Sequence, residues 1–284
     1  MTVLLAYLFY FIAASASPLQ RRWLAVQNQE APPEGQIHFA FQVVGILSVL
    51  GLLLLFFEPF KISGDPLKLV LLSLAAGLSG AGYFWASYVA QRHVEAGITT
   101  LLGNIYTPIT IFLATVFLNE TLTAWQMAGT VLLLAGVVVV SKKHRIGRFK
   151  FDRYFLLMGL SGVMLGLCLT AERALQVETG LTAATLFSWW SQFAVLGVLT
   201  LYTGSKSHYA VKDVAITGVL RFFQALSWVV LMWVVGNLSV VSAITTFKVV
   251  LIFIAGAILL NEREDMSRKI LGSVIALAGL LLMK

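Results

Sequence analysis

The chain has 284 residues, of which 59% are apolar and only 12% are charged, and its net charge is +7. Soluble domains contain about 25% charged residues, so this composition excludes an ordinary soluble protein and indicates a membrane protein. A spanning helix needs about 20 apolar residues, so ten spans would take up roughly 200 positions. What remains leaves no room for a soluble catalytic or nucleic-acid-binding domain. We therefore expect the basic surplus to reflect membrane topology.

Apolar runs bounded by charged residues, Pro and Gly predict an all-α membrane protein with ten transmembrane helices. The N-terminal run has no basic residue before it and is followed by Arg21 and Arg22, the reverse of a secretory signal, so we interpret it as the first span. Most connections are very short, which favours antiparallel helical hairpins. The predicted spans are 2–18, 37–57, 68–89, 97–118, 123–141, 154–173, 182–202, 213–234, 238–260 and 268–283.

Two segments of the sequence are similar to each other, and each closes a block of five predicted spans. Because five is odd, the second block must enter the bilayer from the opposite side. This predicts two inverted five-helix repeats with a site between them near the midplane. The repeated glycines share one helix face and indicate close helix packing or a dimer contact. The matching residues are Asn119 and Glu120 with Asn261 and Glu262, and Gly129 and Gly136 with Gly272 and Gly279.

The basic residues predict the orientation, because Lys and Arg stay on the cytoplasmic side. Of the 20 in the chain, 14 follow odd-numbered spans, four lie on the opposite side, and Arg221 and Lys248 fall inside spans. We therefore predict that both termini lie outside. The first repeat is predicted at 1–141, a basic cytoplasmic linker at 142–153, and the second repeat at 154–284.

The two basic residues inside spans point most directly to function. Lys248 lies near the middle of span 9, where a basic residue costs about 2.5 to 3.5 kcal/mol on insertion scales. It should face a polar cavity or a partner, although a structural ion pair or bonds to backbone carbonyls are alternatives. Arg221 is shallower and belongs either to the site or to the mouth of a cavity. Together they would bind a carboxylate, phosphate or sulfonate well, which predicts an anionic group on the cargo.

Aromatic and polar residues at similar depth are further candidates for substrate binding. Tyr106 lies 14 residues before Glu120, as Lys248 lies 14 before Glu262, so the repeat places these two opposite each other. Aromatic rings would stack on the cargo or else pack helices, and polar groups would bond the cargo or hold helices together. Pro108 predicts a kink in span 4 that would help a gate. The other candidates are Tyr88, Trp85, Trp228, Asn104 and Thr246.

The acidic residues are predicted at helix ends, which disfavours an exporter that exchanges protons on a midplane Glu. Glu120 and Glu262 are interpreted as caps of the helix that follows each of them, and Glu172 as the end of span 6. The sequence contains no paired acids, metal-ligand spacing or buried nucleophile typical of an enzyme, so we predict no catalysis, no metal and no cofactor. The single cysteine, Cys168, is expected to pack in apolar surroundings.

Each half of the sequence ends in an apolar span, the residues Leu-Asn-Glu, a short turn and a Gly-containing span. These runs are 117–120 and 259–262. In this the chain resembles, over nearly its whole length, the EamA-domain proteins of the drug/metabolite transporter superfamily. The resemblance implies a secondary carrier of the bacterial inner membrane that works by alternating access. It also implies a central cavity between the first four spans of each half. Pro108 fits the family pattern, whereas span 9 has Val250 at that position.

The preferred hypothesis is a carrier for a small metabolite, an amino acid or other organic anion. Its partners would be this small-molecule substrate and the lipid bilayer, with no nucleic acid. The alternative is a broad-specificity drug exporter of the same superfamily, which the aromatic residues favour and the basic centre disfavours. A monomer and a homodimer are both compatible with the sequence, since a ten-span inverted repeat can close its own cavity.

Overall fold

In a computed structural model the described residues are almost all helical and contain no strand, which confirms the all-α part of the predicted fold class. Within the same residues, six helices are long and apolar enough to cross a membrane, and four shorter apolar helices accompany them. The six correspond to predicted spans 1, 2, 3, 6, 7 and 8. The structure describes residues 3–27, 35–91, 93, 102–141, 153–259 and 266–283.

The helices are numbered in chain order, and their bounds differ from the predicted spans mainly at the ends. Helices α1 and α6 both continue beyond the predicted ends of spans 1 and 6, since polar residues follow the apolar runs without ending the helix. The helices are α1 Val3–Gln27, α2 Gly35–Leu50 with the 3-10 turn Gly51–Phe56, α3 Pro66–Ala90, α4 Tyr106–Leu118, α5 Ala124–Ser141, α6 Arg153–Thr179, α7 Leu181–Thr203, α8 Val211–Val235, α9 Leu238–Thr245, α10 Lys248–Leu259 and α11 Met266–Leu282.

Predicted spans 4 and 9 are each interrupted by a turn, at 104–105 and at 246–247. Pro108 has no N–H and therefore cannot donate a hydrogen bond to the carbonyl four residues earlier. That carbonyl instead accepts a hydrogen bond from Thr107 N at 3.0 Å. Span 9 has no proline at its break. There the N–H of Val250 donates to the carbonyl three residues earlier, at 3.0 Å, instead of the carbonyl four residues earlier. The two breaks occupy matching positions of the proposed repeats.

Helices α1–α4 and α6–α10 pack around a common centre. Helix α3 packs against α6 and α7, helix α8 against α1 and α2, and α2 against α7. Helix α4 packs against α6 and α9, and α10 against α1. Helices α5 and α11 pack mainly against each other and touch the rest through α9 and α10.

The repeated glycines lie where α5 and α11 cross. A Cβ on Gly136 would lie 2.6 Å from the backbone nitrogen of Ala276 and 2.7 Å from the carbonyl oxygen of Gly272. A Cβ on Gly279 would lie 2.6 Å from the carbonyl oxygen of Gly129. Only glycine allows backbones to approach so closely, so the prediction of close helix packing is confirmed, and the packing is within one chain.

Polar contacts join the two halves at the end of the bundle that we name the Glu120 end. Arg173 Nε donates to Glu120 Oε1 at 2.7 Å in an ion pair, and Leu238 N donates to the other carboxylate oxygen. Glu120 therefore caps α9, and the prediction that it caps the next helix in sequence is wrong. That helix, α5, is capped by Thr123 and Gln126, whose side chains each accept from the other's backbone N–H.

Further contacts at the Glu120 end also link the two halves. Lys68, at the start of α3, forms an ion pair with Glu178 of α6. Glu58 Oε2 accepts from the backbone nitrogen of Thr182, at the start of α7, at 3.0 Å. The predicted capping role of Glu262, and all of the linker except its last residue, lie outside the described residues.

We expect Gly136→Ala to destabilise the protein by about 1–3 kcal/mol, because the added methyl group would overlap the backbone of α11. The matched control is Gly159→Ala in α6, where the new Cβ meets only a side-chain carbon of Ile105 at 4.0 Å. There alanine should leave stability unchanged or raise it through its helix propensity. Thermal unfolding of the purified proteins in detergent measures both. Equal melting temperatures for the two variants would contradict the packing described.

Candidate functional site

A cavity of about 90 Å³ lies among the central helices and is lined by both basic residues predicted inside spans. Its walls come from α1, α2, α3, α4, α6, α7, α8 and α10, and no described residue of α5 or α11 lines it. A volume of this size holds roughly six waters, and thus a small organic molecule. Its polar and charged lining residues are Tyr10, Tyr83, Tyr106, Cys168, Glu172, Gln192, Arg221, Gln224 and Lys248.

Lys248, the first residue of α10, is held in the cavity by two tyrosines. Its Nζ donates to Tyr10 OH at 3.1 Å and to Tyr106 OH at 3.4 Å, and it lies 4.8 Å from the centre of the Tyr106 ring. Tyr106 OH is also 3.1 Å from Thr245 Oγ1. In the described part of the chain no carboxylate forms an ion pair with Lys248. An ammonium group has three N–H donors, so one remains for a ligand.

Arg221 of α8 is the second cation of the cavity, and it too has a neutral partner. Its Nη1 donates to Gln224 Oε1 at 2.8 Å. The guanidinium carbon lies 4.8 Å from the centre of the Phe84 ring and 5.5 Å from that of Tyr83. Its Nε is buried and finds no acceptor among the residues that the structure describes. Arg221 therefore has an unused donor inside the protein, where an unmade hydrogen bond is costly.

Glu172 is an acidic residue of the cavity that sequence reasoning placed elsewhere. It lies seven residues before the end of α6, only 5% exposed, so the prediction that it ends a helix is wrong. Its Oε2 accepts from Ser188 Oγ at 2.7 Å. Gln192 Nε2 donates to the same hydroxyl at 2.9 Å and contacts Cys168 Sγ at 3.5 Å. Cys168 thus lies in a polar network rather than in apolar surroundings.

One pattern in the sequence could have located Glu172. Glu172, Gln176 and Thr179 are all buried, at spacings of four and three residues. Such spacing places them on one face of a single helix that continues past the apolar run. Tyr10 and Tyr83 were also missed, since tyrosines in an apolar run do not indicate which side of the helix they occupy.

Four of the predicted site residues line the cavity, namely Lys248, Arg221, Tyr106 and Trp228. The other four lie elsewhere, as follows. Thr246 Oγ1 is 2.7 Å from Thr107 Oγ1 and joins span 9 to span 4. Asn104 is buried at the break in span 4, and within the described part of the chain neither polar atom of its amide has a hydrogen-bond partner.

The last two, Trp85 and Tyr88, lie on α3 but outside the cavity. Trp85 is 39% exposed on the outer surface, while its neighbour Phe84 lines the cavity. Tyr88 is buried near the other end of the bundle, where its ring lies 4.3 Å from the guanidinium carbon of Arg21.

Arg21 lies in the C-terminal part of α1 rather than in a loop, and it is only 3% exposed. Its Nη2 donates to Gln36 Oε1 at 2.7 Å, and its guanidinium also faces Phe39 and Tyr209 at 4.5 and 5.5 Å. We name this group the Arg21 cage. It ties α1, α2 and α3 to the connection between α7 and α8, so it joins the two halves at the end opposite the Glu120 end.

The model of the EamA-like transporter family matches residues 1–142, which is half of the chain. The chain belongs to the EamA-like transporter family. The resemblance inferred from the Leu-Asn-Glu runs is thereby confirmed, and the protein is a membrane transporter of this family. Its small-molecule substrate and its lipid environment follow from the same assignment.

This EamA-like chain is similar to a protein whose crystal structure has been solved, with a TM-score of 0.68 and 16% sequence identity. The match covers 98% of this chain and 95% of the other, and at this identity it shows a shared fold alone. No curated protein matches the chain.

The positive character of the cavity can be measured with charged thiol reagents. In a Cys168→Ser background, Leu165→Cys places one thiol on the cavity wall. We expect a sulfonate-bearing methanethiosulfonate to react several-fold faster there than a trimethylammonium-bearing one, because Lys248 and Arg221 attract the anion. Adding the Lys248→Met substitution should reduce the difference in reaction rate between the two reagents.

Leu167→Cys in the same background is the matched control, because Leu167 is two residues away on α6 and 43% exposed on the outer surface. It should show no comparable preference between the two reagents. Faster reaction of Leu165→Cys with the cationic reagent would contradict a positive cavity.

Proposed function

We propose that this EamA-like transporter carries a small metabolite with an anionic group, an amino acid or other organic anion, bound between Lys248 and Arg221. The observation that carries the proposal is that both cations line one cavity and have only neutral hydrogen-bond partners in the described part of the chain. A charge buried in a bilayer is costly unless it is paired. A carboxylate or phosphate of the cargo would supply the missing partner through charge-assisted hydrogen bonds.

The cations, rather than the helix breaks, supply the positive field. Broken helices in transporters can direct free backbone N–H groups at an anion. Here the N–H groups of Val249 and Val250, just after the break in span 9, both bond carbonyls three residues earlier at 3.0 Å. Anion binding is therefore expected to depend on the side chains of Lys248 and Arg221, with Tyr106 and Trp228 contacting the remainder of the cargo.

We further propose that the two halves are inverted repeats, at 1–141 and 154–284, and that ten helices cross the membrane. The packing of the helices supports this, because exchanging the halves reproduces most of the main helix pairs. The pair α3 with α6 becomes α8 with α1, the pair α3 with α7 becomes α8 with α2, and α4 with α6 becomes α10 with α1. The pairs α2 with α7 and α5 with α11 are unchanged. The family match ends at residue 142, close to the proposed boundary.

Alternating access would open the cavity at one end while the other stays closed. At the Glu120 end, ion pairs between the halves form a closure that can break and re-form. At the opposite end the Arg21 cage does the same. The break near Pro108 would give span 4 the freedom to bend. By the positive-inside rule, the Arg21 end and the linker 142–153 would lie in the cytoplasm and both termini outside. The proposed location, a bacterial inner membrane, rests on the resemblance to the family.

The alternative, a broad-specificity drug exporter, has one observation in its favour. Aromatic rings make up much of the cavity lining and would accept varied apolar cargo. The two cations disfavour the lipophilic cations that such exporters carry. The glycine faces of α5 and α11 are occupied within the chain, so a homodimer would need another surface, and a single chain already forms the cavity.

We expect Lys248→Met to lower the affinity for anionic cargo by at least about tenfold, because it removes a charge-assisted hydrogen bond. A thermal-shift screen of the purified protein against carboxylates, phosphates, amino acids and amines identifies stabilising compounds. Titration of those compounds into Lys248→Met measures how much affinity the substitution removes.

Lys212→Met is the control, because Lys212 is exposed at the start of α8 and lies outside the cavity. It should retain the affinity of the unsubstituted protein. Stabilisation by cations alone, or equal affinity of an anion for both variants, would contradict the proposed function.

A further inference from the structure

We propose that Glu172 binds a cationic ammonium group of the cargo, so that the transported molecule carries both an amine and a carboxylate. The inference rests on the proposed function, because it assigns the anionic end of the same molecule to Lys248 and Arg221. It selects amino-acid-like zwitterions from among the small anions that those two residues would accept.

Glu172 lies on the cavity wall without a cationic partner. It is 5% exposed, and within the described part of the chain no Lys or Arg forms an ion pair with it. Arg221 lines the same cavity but donates to Gln224 instead. The hydrogen bond from Ser188 satisfies one of its two oxygens. A buried carboxylate with one neutral donor is incompletely stabilised, and a cation from the cargo would complete it.

Among the described residues, the hydrogen bond that Glu172 accepts from Ser188 is one that a neutral residue could accept as well. The acceptor that Ser188 requires is an oxygen, and a glutamine at this position would provide it. For a cargo that is only an anion, the carboxylate would be unfavourable, since it repels the group that Lys248 and Arg221 attract. A cargo with an ammonium group converts this repulsion into attraction. The charge of Glu172 is therefore explained by the cargo rather than by the fold.

The three charged residues come from three different helices and surround one small cavity. Glu172 lies on α6, Arg221 on α8 and Lys248 on α10. Opposite charges on separate walls recognise a molecule whose own charges are separated, and a cavity of about 90 Å³ restricts its size. Aromatic rings of Trp189 and Trp228 are also in the lining, where they would contact the apolar part of the cargo.

The test uses the twenty common amino acids in thermal-shift titrations, followed by matched triples that differ in one charged group. For valine these are L-valine, 2-hydroxyisovalerate and isobutylamine; for phenylalanine they are L-phenylalanine, phenyllactate and phenethylamine. At least one amino acid should bind about tenfold or more tightly than its hydroxy acid and than its amine. The hydroxy acids also test whether Glu172 merely accepts a hydrogen bond from a neutral hydroxyl.

Glu172→Gln should remove the preference for the amino acid over the hydroxy acid while leaving the binding of the hydroxy acid intact or stronger. Glu172→Asp should restore part of the preference. The matched control is Glu178→Gln on the same helix, because Glu178 pairs with Lys68 outside the cavity and should not influence the preference. The melting temperature of each ligand-free variant shows that it is folded.

Failure of this inference is distinguishable from failure of the proposed function. If hydroxy acids or other anions bind as well as amino acids or better, and Lys248→Met still weakens them, Glu172 does not bind an ammonium group but the anion site stands. Retention of the amino-acid preference in Glu172→Gln, or no stabilisation by any of the twenty amino acids, also overturns the inference. Binding of amines alone, unchanged in Lys248→Met, overturns both.

Discussion

A positive charge held inside the protein, with no carboxylate partner among the described residues, is the constraint on which the site depends. Lys248 interrupts an otherwise apolar span, and its ammonium group donates hydrogen bonds to the hydroxyl groups of Tyr10 and Tyr106. Neutral partners hold the side chain in place but leave its charge uncompensated. The charge is therefore still unfavourably solvated in the folded protein, and an anionic ligand that enters the cavity would stabilise it.

The arrangement of the helices separates rigid support from the cavity. Helices α5 and α11 meet through glycine backbones at distances that no larger residue permits, and they contribute no described residue to the cavity wall. Of the nine helices that remain in the described part of the chain, eight line the cavity. Polar contacts between the halves are concentrated at its two ends, in the ion pair of Glu120 and in the Arg21 cage. Side-chain contacts of this kind can exchange their partners for water when one end opens, whereas the glycine interface cannot slide without overlap.

The sequence predicted the parts of the site that follow from the physics of the bilayer. Lys248 and Arg221 were found because a charge inside a span is costly, and Tyr106 because the repeat aligns it with Lys248. Glu172 was not found, since hydropathy ends a span at the first polar residues while the helix continues, and its burial depends on helices distant in sequence. On α3 both faces carry aromatic rings, so only the packing shows that Phe84 faces the cavity and Trp85 the surface. The burial of Arg21 likewise depends on Tyr209, which is 188 residues away in the sequence.

The most direct test of the account is a structure of the transporter determined with a stabilising carboxylate bound. We expect a carboxylate oxygen within hydrogen-bond distance of Lys248 Nζ, in the cavity between Arg221 and Tyr106. A cargo bound with its anionic group elsewhere, and with Lys248 still bonded only to the two tyrosines, would contradict the claim that the buried charge is there to bind cargo.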